Sequence, residues 1–266
     1  MDYLQQYVKD NLRSLQLRQL EILQTIHQVC QKHHINYWLD GGTLLGAVRH
    51  HGFIPWDDDI DIAMTYDDLQ KFIRIAPKEL PEELFLQTME SDPTARMPIY
   101  KVRDRNSFLV EGADDFTTPY QKGIYVDIFP MIDYPSFSRS FIKRFAKGYC
   151  RANAILLSQH YYSCRSFVEF FYFSAKKIFF LSIWKIGGWF KKKGELMSNT
   201  LNNSGYGIAH EKKSIFPIGE IEFEGIKFNA PNNPDAYLTD LYKNYMELPP
   251  EDKRVSHAVF YQLKLK

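Results

Sequence analysis

Apolar residues recur at helical spacing between about Gln5 and His34. Leu15, Ile22, Ile26 and Val29 fall on one stripe, with Leu23 and Cys30 beside it, which predicts a long amphipathic helix. The next apolar run, Ile35 to Leu39, is short and ends at Gly41-Gly42, so it reads as a strand and a tight turn. Good helix formers follow from Thr43 to His50. Asp59 to Met64 alternates strictly. Asp59, Asp61 and Ala63 share one face of a predicted strand, and Ile60, Ile62 and Met64 share the other. Thr65 reads as an N-cap with Asp68 in the box position, and Leu69, Phe72, Ile73 and Ala76 form the buried stripe of the helix it starts.

Short strands fit Phe85 to Thr88, Ile99 to Val102 and Ser107 to Val110. Gly123 to Phe129 alternates again, with Tyr125, Asp127 and Phe129 on one face and Ile124, Val126 and Ile128 on the other; Pro130 is expected to end it. From about Ser136 to Asn199 the pattern changes to long helices. Phe167 to Phe190 is rich in Phe, Tyr, Ile and Trp, and Lys191-Lys192-Lys193 follow. Its longest nearly apolar piece, Ile178 to Trp184, is far short of the ~20 residues of a membrane span. It reads either as a core helix or as an interfacial helix with aromatics at the lipid boundary and lysines on headgroups. Ile221 to Phe223 and Ile226 to Phe228 frame a hairpin around Glu224-Gly225. A helix near Pro234 to Tyr245 and a polar tail with Pro249-Pro250 close the chain. Short strands and helices in this order fit an α+β fold.

The 266 residues allow a full hydrophobic core. A net charge of +1 leaves no overall field to attract nucleic acid or acidic polymers. The start of the chain, Met1 to Gln6, lacks the basic and apolar regions of a signal peptide. Cys30, Cys150 and Cys164 have no metal-ligand spacing, and their odd number suggests reduced thiols in the cytoplasm.

Four acids crowd one stretch: Asp57, Asp58, Asp59 and Asp61. Charges that close repel unless a cation joins them. Asp59 and Asp61 at i and i+2 on a strand project from one face, at a separation one divalent ion can bridge. Gly41-Gly42-Thr43, between a strand and a helix, lets backbone N–H groups approach a phosphate at a helix N-terminus. Asp127, on a similar strand, can supply a third carboxylate to the ion or act as general base. Arg49, Lys101, Arg103 and Arg254 are the cations available for a diphosphate. His50, His51 and His257 can titrate or bind, although a lone histidine is more often structural. No zinc spacing, nucleophile elbow, Walker A loop or dinucleotide fingerprint is present.

The stretches Gly41-Gly42-Thr43-Leu44-Leu45-Gly46-Ala47-Val48-Arg49 and Gly52-Phe53-Ile54-Pro55-Trp56-Asp57-Asp58-Asp59-Ile60-Asp61 resemble the LicD family of phosphotransferases, related to fukutin and fukutin-related protein. Gly123 to Pro130 and Tyr245 to Pro250 are also similar. The resemblance implies a nucleotidyltransferase-like mixed sheet over one catalytic domain, residues 1–266, with a helical, aromatic-rich insertion at about 136–200. It implies Mg²⁺, or Mn²⁺, on Asp59, Asp61 and Asp127, and phosphate contacts from Gly41, Gly42, Thr43, Arg49 and Lys101. The implied reaction moves a phospho-alcohol, phosphocholine foremost, from a CDP-alcohol such as CDP-choline to a sugar hydroxyl of a lipid-linked glycan. The expected setting is the inner face of the bacterial membrane with no nucleic acid; on the interfacial reading of the aromatic segment, peripheral contact is through about Phe167 to Lys193. A nucleotidyltransferase using an NTP and a non-catalytic glycan-binding scaffold are the competing readings. The chain differs from many members at Asp40, where an uncharged residue is common. Trp38, Trp56 and Tyr125 are aromatic candidates for a choline ammonium.

Overall fold

The computed structural model describes residues 3–95, 100–112, 114, 118–158 and 163–265, and of Gln5 only the backbone. Helix α1 (Tyr3–Lys32) follows its predicted stripe, with Leu15, Ile22, Leu23, Ile26, Val29 and Cys30 all buried. After it come β1 (Tyr37–Leu39), α2 (Gly41–His50), β2 (Asp61–Thr65) and α3 (Tyr66–Glu79). Helix α2 begins at the glycines themselves rather than after a turn, because Asp40 caps it by accepting from Gly41 N at 2.8 Å. Thr65 caps α3 by accepting from Asp68 N at 3.1 Å, as its sequence signature predicts. Strand β2 is shorter than the alternation suggested: Asp59 and Ile60 lie in the extended approach to it.

Strands β3 (Leu84–Gln87), β4 (Tyr100–Asp104) and β5 (Phe108–Glu111) match their predicted places within a residue or two. Ile99 lies outside the described residues. Strand β6 (Tyr125–Pro135) runs through Pro130 instead of ending there. Asp127 N donates to Ile60 O, so N–H groups of odd-numbered residues face β2 and those of even-numbered residues face the other side. On that other side β4 pairs up to Ile128, and the next strand starts its pairing at Met131. Among the described residues Pro130 belongs to neither register, and its carbonyl accepts from Thr200 N at 3.0 Å at the edge of the β7 pairing.

The 136–200 region holds α4 (Arg139–Leu157) and α5 (Cys164–Trp189), but its last part is strand β7 (Lys193–Asn199), antiparallel to β6. The helical insertion is therefore narrower than the pattern predicted. The chain continues through β8 (His210–Glu211), α6 (Lys212–Ile215), β9 (Gly219–Phe223), β10 (Ile226–Ala230) and α7 (Pro234–Tyr242). It does not close as a polar tail: β11 (Ala258–Gln262) returns to pair with β5. Ala258 and Tyr261 are buried there.

Among the described residues, seven strands form one curled mixed sheet ordered β1-β2-β6-β4-β3, with β7 extending β6 and β8 following β7. Its parallel pair is β2–β6. Helix α1 packs on β11, β6 and β4, α3 packs on β2, β3 and β6, and α2 packs on β2, α7 and β9. A large apolar core joins these elements, and a smaller one under the insertion joins Tyr134, Phe137, Ile142, Ala146 and Trp184. The cysteines are free thiols, Cys30 buried and Cys164 exposed.

Candidate active site

The register of the sheet sets one row of side chains. Asp61 on β2 stands opposite Asp127 on β6, and Asp127 stands opposite Lys101 on β4. Residues so paired point to the same face, with strands about 4.8 Å apart. Lys101 Nζ lies 2.9 Å from the Asp127 carboxylate and 3.4 Å from the centre of the Tyr125 ring. Arg103 points elsewhere: it is buried and donates to Gln87 and to Gly123 O, so its role is to brace the sheet.

The approach to β2 brings further acids. Helix α1 holds its backbone: Gln16 Nε2 donates to Asp57 O at 2.9 Å, and Gln19 Nε2 donates to Asp58 O at 2.7 Å. The Asp58 side chain turns inward and accepts from Ala258 N. His257 Nδ1 lies 3.4 Å from Asp58 and 3.8 Å from Asp59. Burial, then repulsion by Asp57, Asp58 and Asp127, holds the Asp59 carboxyl well above the usual carboxylate range. Burial, then Asp59 and Asp127, does the same to Asp61, and burial with Asp58 pushes Asp57 up to about 6. The Asp58 carboxylate beside it raises His257 to about 9.

The two glycines of α2 press on these acids. A Cβ on Gly41 would lie 2.7 Å from Asp61 Oδ2, and one on Gly42 would lie 2.7 Å from Asp57 Oδ2. Gly41 also has φ +52, where side chains are rarely tolerated. Thr43 Oγ1 accepts from Asp61 N at 2.8 Å, and Asp40 N donates to Asp61 O at 3.0 Å. The glycine stretch therefore holds β2 at its first residue.

Asp127 and Asp58 each keep one buried oxygen that makes ion-pair contact but no hydrogen bond of good geometry. Several buried carboxylate oxygens that raise one another's pKa are the donor set a hard divalent cation accepts. Among the described residues Asp58, Asp59 and His257 are the group whose ligand atoms lie within 4.8 Å of one another; Asp61 and Asp127, paired in register, are the acids next to Asp59 whose charges act on it or on each other.

Arg49 does not reach the row of acids directly. Its guanidinium donates to Tyr245 O at 2.9 Å and pins the segment after α7, while Asp57 and Arg254 sit close enough to affect its charge. Arg254 lies over the Trp56 ring, 5.1 Å from its centre, and donates to Pro249 O. Of the aromatic candidates, Trp38 is fully buried in the core and the Tyr125 face carries Lys101. Trp56 remains half-buried beside a cavity of about 760 Å³, next to Pro55 and Arg254.

Two participants, Tyr237 and Tyr242, have no site signal in the sequence, and His257, which the sequence offers only as a histidine that can titrate or bind, is placed by the structure. Tyr237 of α7 donates from its hydroxyl to Asp40 Oδ1 at 2.8 Å and accepts from Trp38 Nε1 at 3.2 Å. Its ring stacks on His210 at 3.7 Å. Asp40 is thus a cap with a buried partner, which explains a charged residue there. Burial, then the charges of Asp61, Asp40 and Asp57, hold Tyr242 above the usual phenol range. His257 reaches Asp58 only through the β5–β11 pairing. The one local signal was the Pro234-to-Tyr245 helix, which placed the tyrosines on an element but not against the site. Tyr237→Phe removes the Asp40 donor and leaves Trp38 Nε1 without an acceptor. A loss of about 1–3 kcal/mol is expected, read as a fall in Tm with turnover per folded molecule changed less than stability.

The family model described as LicD/FKTN/FKRP, nucleotidyltransferase domain, matches residues 34–145, the stretch from just before β1 into α4. The lipopolysaccharide cholinephosphotransferase LicD of Haemophilus influenzae is 31% identical over 269 residues, covering 94% of this chain and 97% of that protein. The chain belongs to the LicD family. Membership reaches the mammalian relatives over shorter stretches. Ribitol 5-phosphate transferase FKRP of Mus musculus is 51% identical over 35 residues, 13% of this chain and 7% of its own length. Ribitol-5-phosphate transferase FKTN of Mus musculus is 32% identical over 80 residues, 29% of this chain and 17% of its own length. The LicD-family relatives named here are phosphotransferases, and this chain is an enzyme of that kind.

Proposed function

We propose that this LicD-family chain moves a phospho-alcohol, phosphocholine foremost, from a CDP-alcohol to a sugar hydroxyl of a cell-surface glycan, with release of CMP. The core that does this is nucleotidyltransferase-like, and the metal is Mg²⁺ or Mn²⁺. The observation that carries the reading is the register of Asp61 opposite Asp127, with Asp59 beside them and the α2 glycines against Asp61 and Asp57. The near full-length likeness to a lipopolysaccharide cholinephosphotransferase supports the substrate class.

Asp59, Asp61 and Asp127 would hold the metal, which when bound would neutralise the donor diphosphate and the departing CMP. The acceptor oxygen attacks the phosphorus that bears the alcohol, and the bond from that phosphorus to the CMP oxygen breaks. Asp127 would complete the metal shell or take the hydroxyl proton. Gly41 and Gly42 let the Asp61 and Asp57 carboxylates lie close against the start of α2, where the donor phosphates would bind, and Thr43 holds Asp61 in place. Lys101 balances Asp127, so the site does not carry the full repulsion of its acids. Arg49 would act by keeping the 245–247 segment in position. Catalysis of this kind is mostly positioning and electrostatics.

The test is CMP release by the purified protein with Mg²⁺, a glycan-lipid acceptor, and CDP-choline, CDP-ribitol and CDP-glycerol in turn. Acceptor-dependent CMP from one donor is the expected result and names the alcohol. Pyrophosphate release from an NTP in its place would move the chain to nucleotidyl transfer. Neither product, with an acceptor that a known phosphotransferase uses, would overturn the proposal.

A further inference from the structure

The hairpin of α4 and α5 is built with its polarity reversed. The stripe of α5 that faces α4 and β6 runs through Phe173, Lys177, Phe180, Trp184 and Gly188. Lys177 on this inner stripe donates to the buried Asn153 of α4 at 2.7 Å, and Trp184 enters the small core. The outer face carries Phe167, Phe171, Ile178, Phe179, Trp189 and Phe190, each more than half exposed, and Trp189 and Phe190 reach 78% and 81%. With Ile186, 51% exposed, these positions link at steps of four (167–171), seven (171–178 and 179–186) and three or four (186 to 189 and 190), so they form one band along α5. A band of that size on a protein surface marks a contact rather than chance.

Charge identifies what the band fits. Between residues 136 and 200 the chain has twelve Lys and Arg against two Glu. From totals of 33 basic and 32 acidic residues, the remainder carries 21 and 30. The hairpin is therefore a strongly positive unit on an otherwise negative protein. Lys143, Arg144 and Arg151 are exposed on α4, and Lys185, Lys191, Lys192 and Lys193 are exposed on and after the outer side of α5. Among the described residues no helix is long and apolar enough to cross a membrane.

We propose that the outer face of α5 lies in the interface of a bilayer with anionic headgroups, aromatic band in the acyl boundary and lysines on the phosphates. Apolar burial and headgroup attraction then act together. A second copy of the chain fits less well, because two hairpins of the same strong positive charge repel. The inference stands independently of the chemistry at the carboxylates.

The test is co-sedimentation of the full chain with phosphatidylcholine vesicles, with and without phosphatidylglycerol. Binding is expected with the anionic vesicles only and should weaken as salt rises. Trp189 fluorescence should shift to the blue and be quenched by brominated acyl chains, and Trp189→Phe should lose that signal. A Phe171→Glu, Phe179→Glu double variant should lose binding with unchanged circular dichroism, since both side chains point outward. Should it fail to fold, Lys191→Gln with Lys192→Gln and Lys193→Gln serves as the second variant, with affinity expected to fall about 100-fold. Absence of wild-type binding, equal binding to neutral vesicles, or a lipid-free dimer that buries Trp189 would each overturn the proposal.

Discussion

Asp61→Asn is expected to lower turnover at least about 10³-fold while making the metal-free protein more stable. The two effects share one cause. Asp61 is buried, repelled by Asp59 and Asp127, and held well above the usual carboxylate range. A carboxyl raised in this way binds its proton more tightly in the folded chain than in the unfolded one. Its contribution to stability is complete below the unfolded value and is lost as pH rises through the folded value. Above the unfolded value the folded protein bears the cost of holding either the proton or the charge, and the neutral amide removes that cost. A gain of about 1 kcal/mol corresponds to a rise in Tm of about 2–4 °C for a chain of this size. The same substitution takes a charged ligand from the proposed metal site, where loss of one electrostatic contact alone costs about 10²–10³-fold. Wild-type Tm should rise on adding Mg²⁺ and the variant's should not, because an ion bound only by the folded state stabilises it by mass action. Asp59→Asn should behave in the same direction. Full activity in either variant, or an equal Mg²⁺ response, would remove these residues from the metal site.

Gly41→Ala is expected to cost about 10²-fold in turnover and about 1–2 kcal/mol in stability. The stability term comes from φ +52, which an L side chain adopts only with strain. The activity term comes from contact: the added Cβ would stand 2.7 Å from Asp61 Oδ2. That oxygen is the end of a side chain and can move, but moving it displaces a carboxylate whose position the reaction needs. A displacement of about 1 Å at such a centre costs about 10²-fold. Gly225→Ala separates the two terms. Gly225 has φ +75 with nothing within 4 Å of the new Cβ. It should show a similar fall in Tm with turnover unchanged. If Gly41→Ala loses no more activity than Gly225→Ala, the glycine is there for the turn alone.

Local patterns carried much of the architecture. Helix α1, the Thr65 cap of α3 and the β9–β10 hairpin follow from spacing and turn chemistry within one segment, and each stands where it was expected. Strand β6 was legible up to Pro130 and no further. Whether a proline ends a strand depends on the ladder its missing N–H would have joined, and among the described residues Pro130 lies outside the registers of both β4 and β7. Strand β7 fits the helical pattern because the lysine run that follows α5 continues into it at Lys193, and its pairing with β6 is non-local. Strand β11 is five residues long and has no strong alternation, so only its partner β5 defines it.

By itself the sequence determined which chemistry was available: a glycine turn, four acids in one stretch, and a further acid on a later strand. It did so because these residues sit within one or two elements, where spacing along the chain sets spacing in space. The tertiary structure decided which of them meet. Asp127 reaches Asp61 through a parallel register between strands more than sixty residues apart. Lys101 comes in from β4, His257 arrives with β11, and Tyr237 reaches Asp40 from α7. Arg49, near the glycines in sequence, is directed to the backbone of Tyr245. These contacts depend on sheet order and on how buried polar groups find partners, and neither is written in any single segment of the chain.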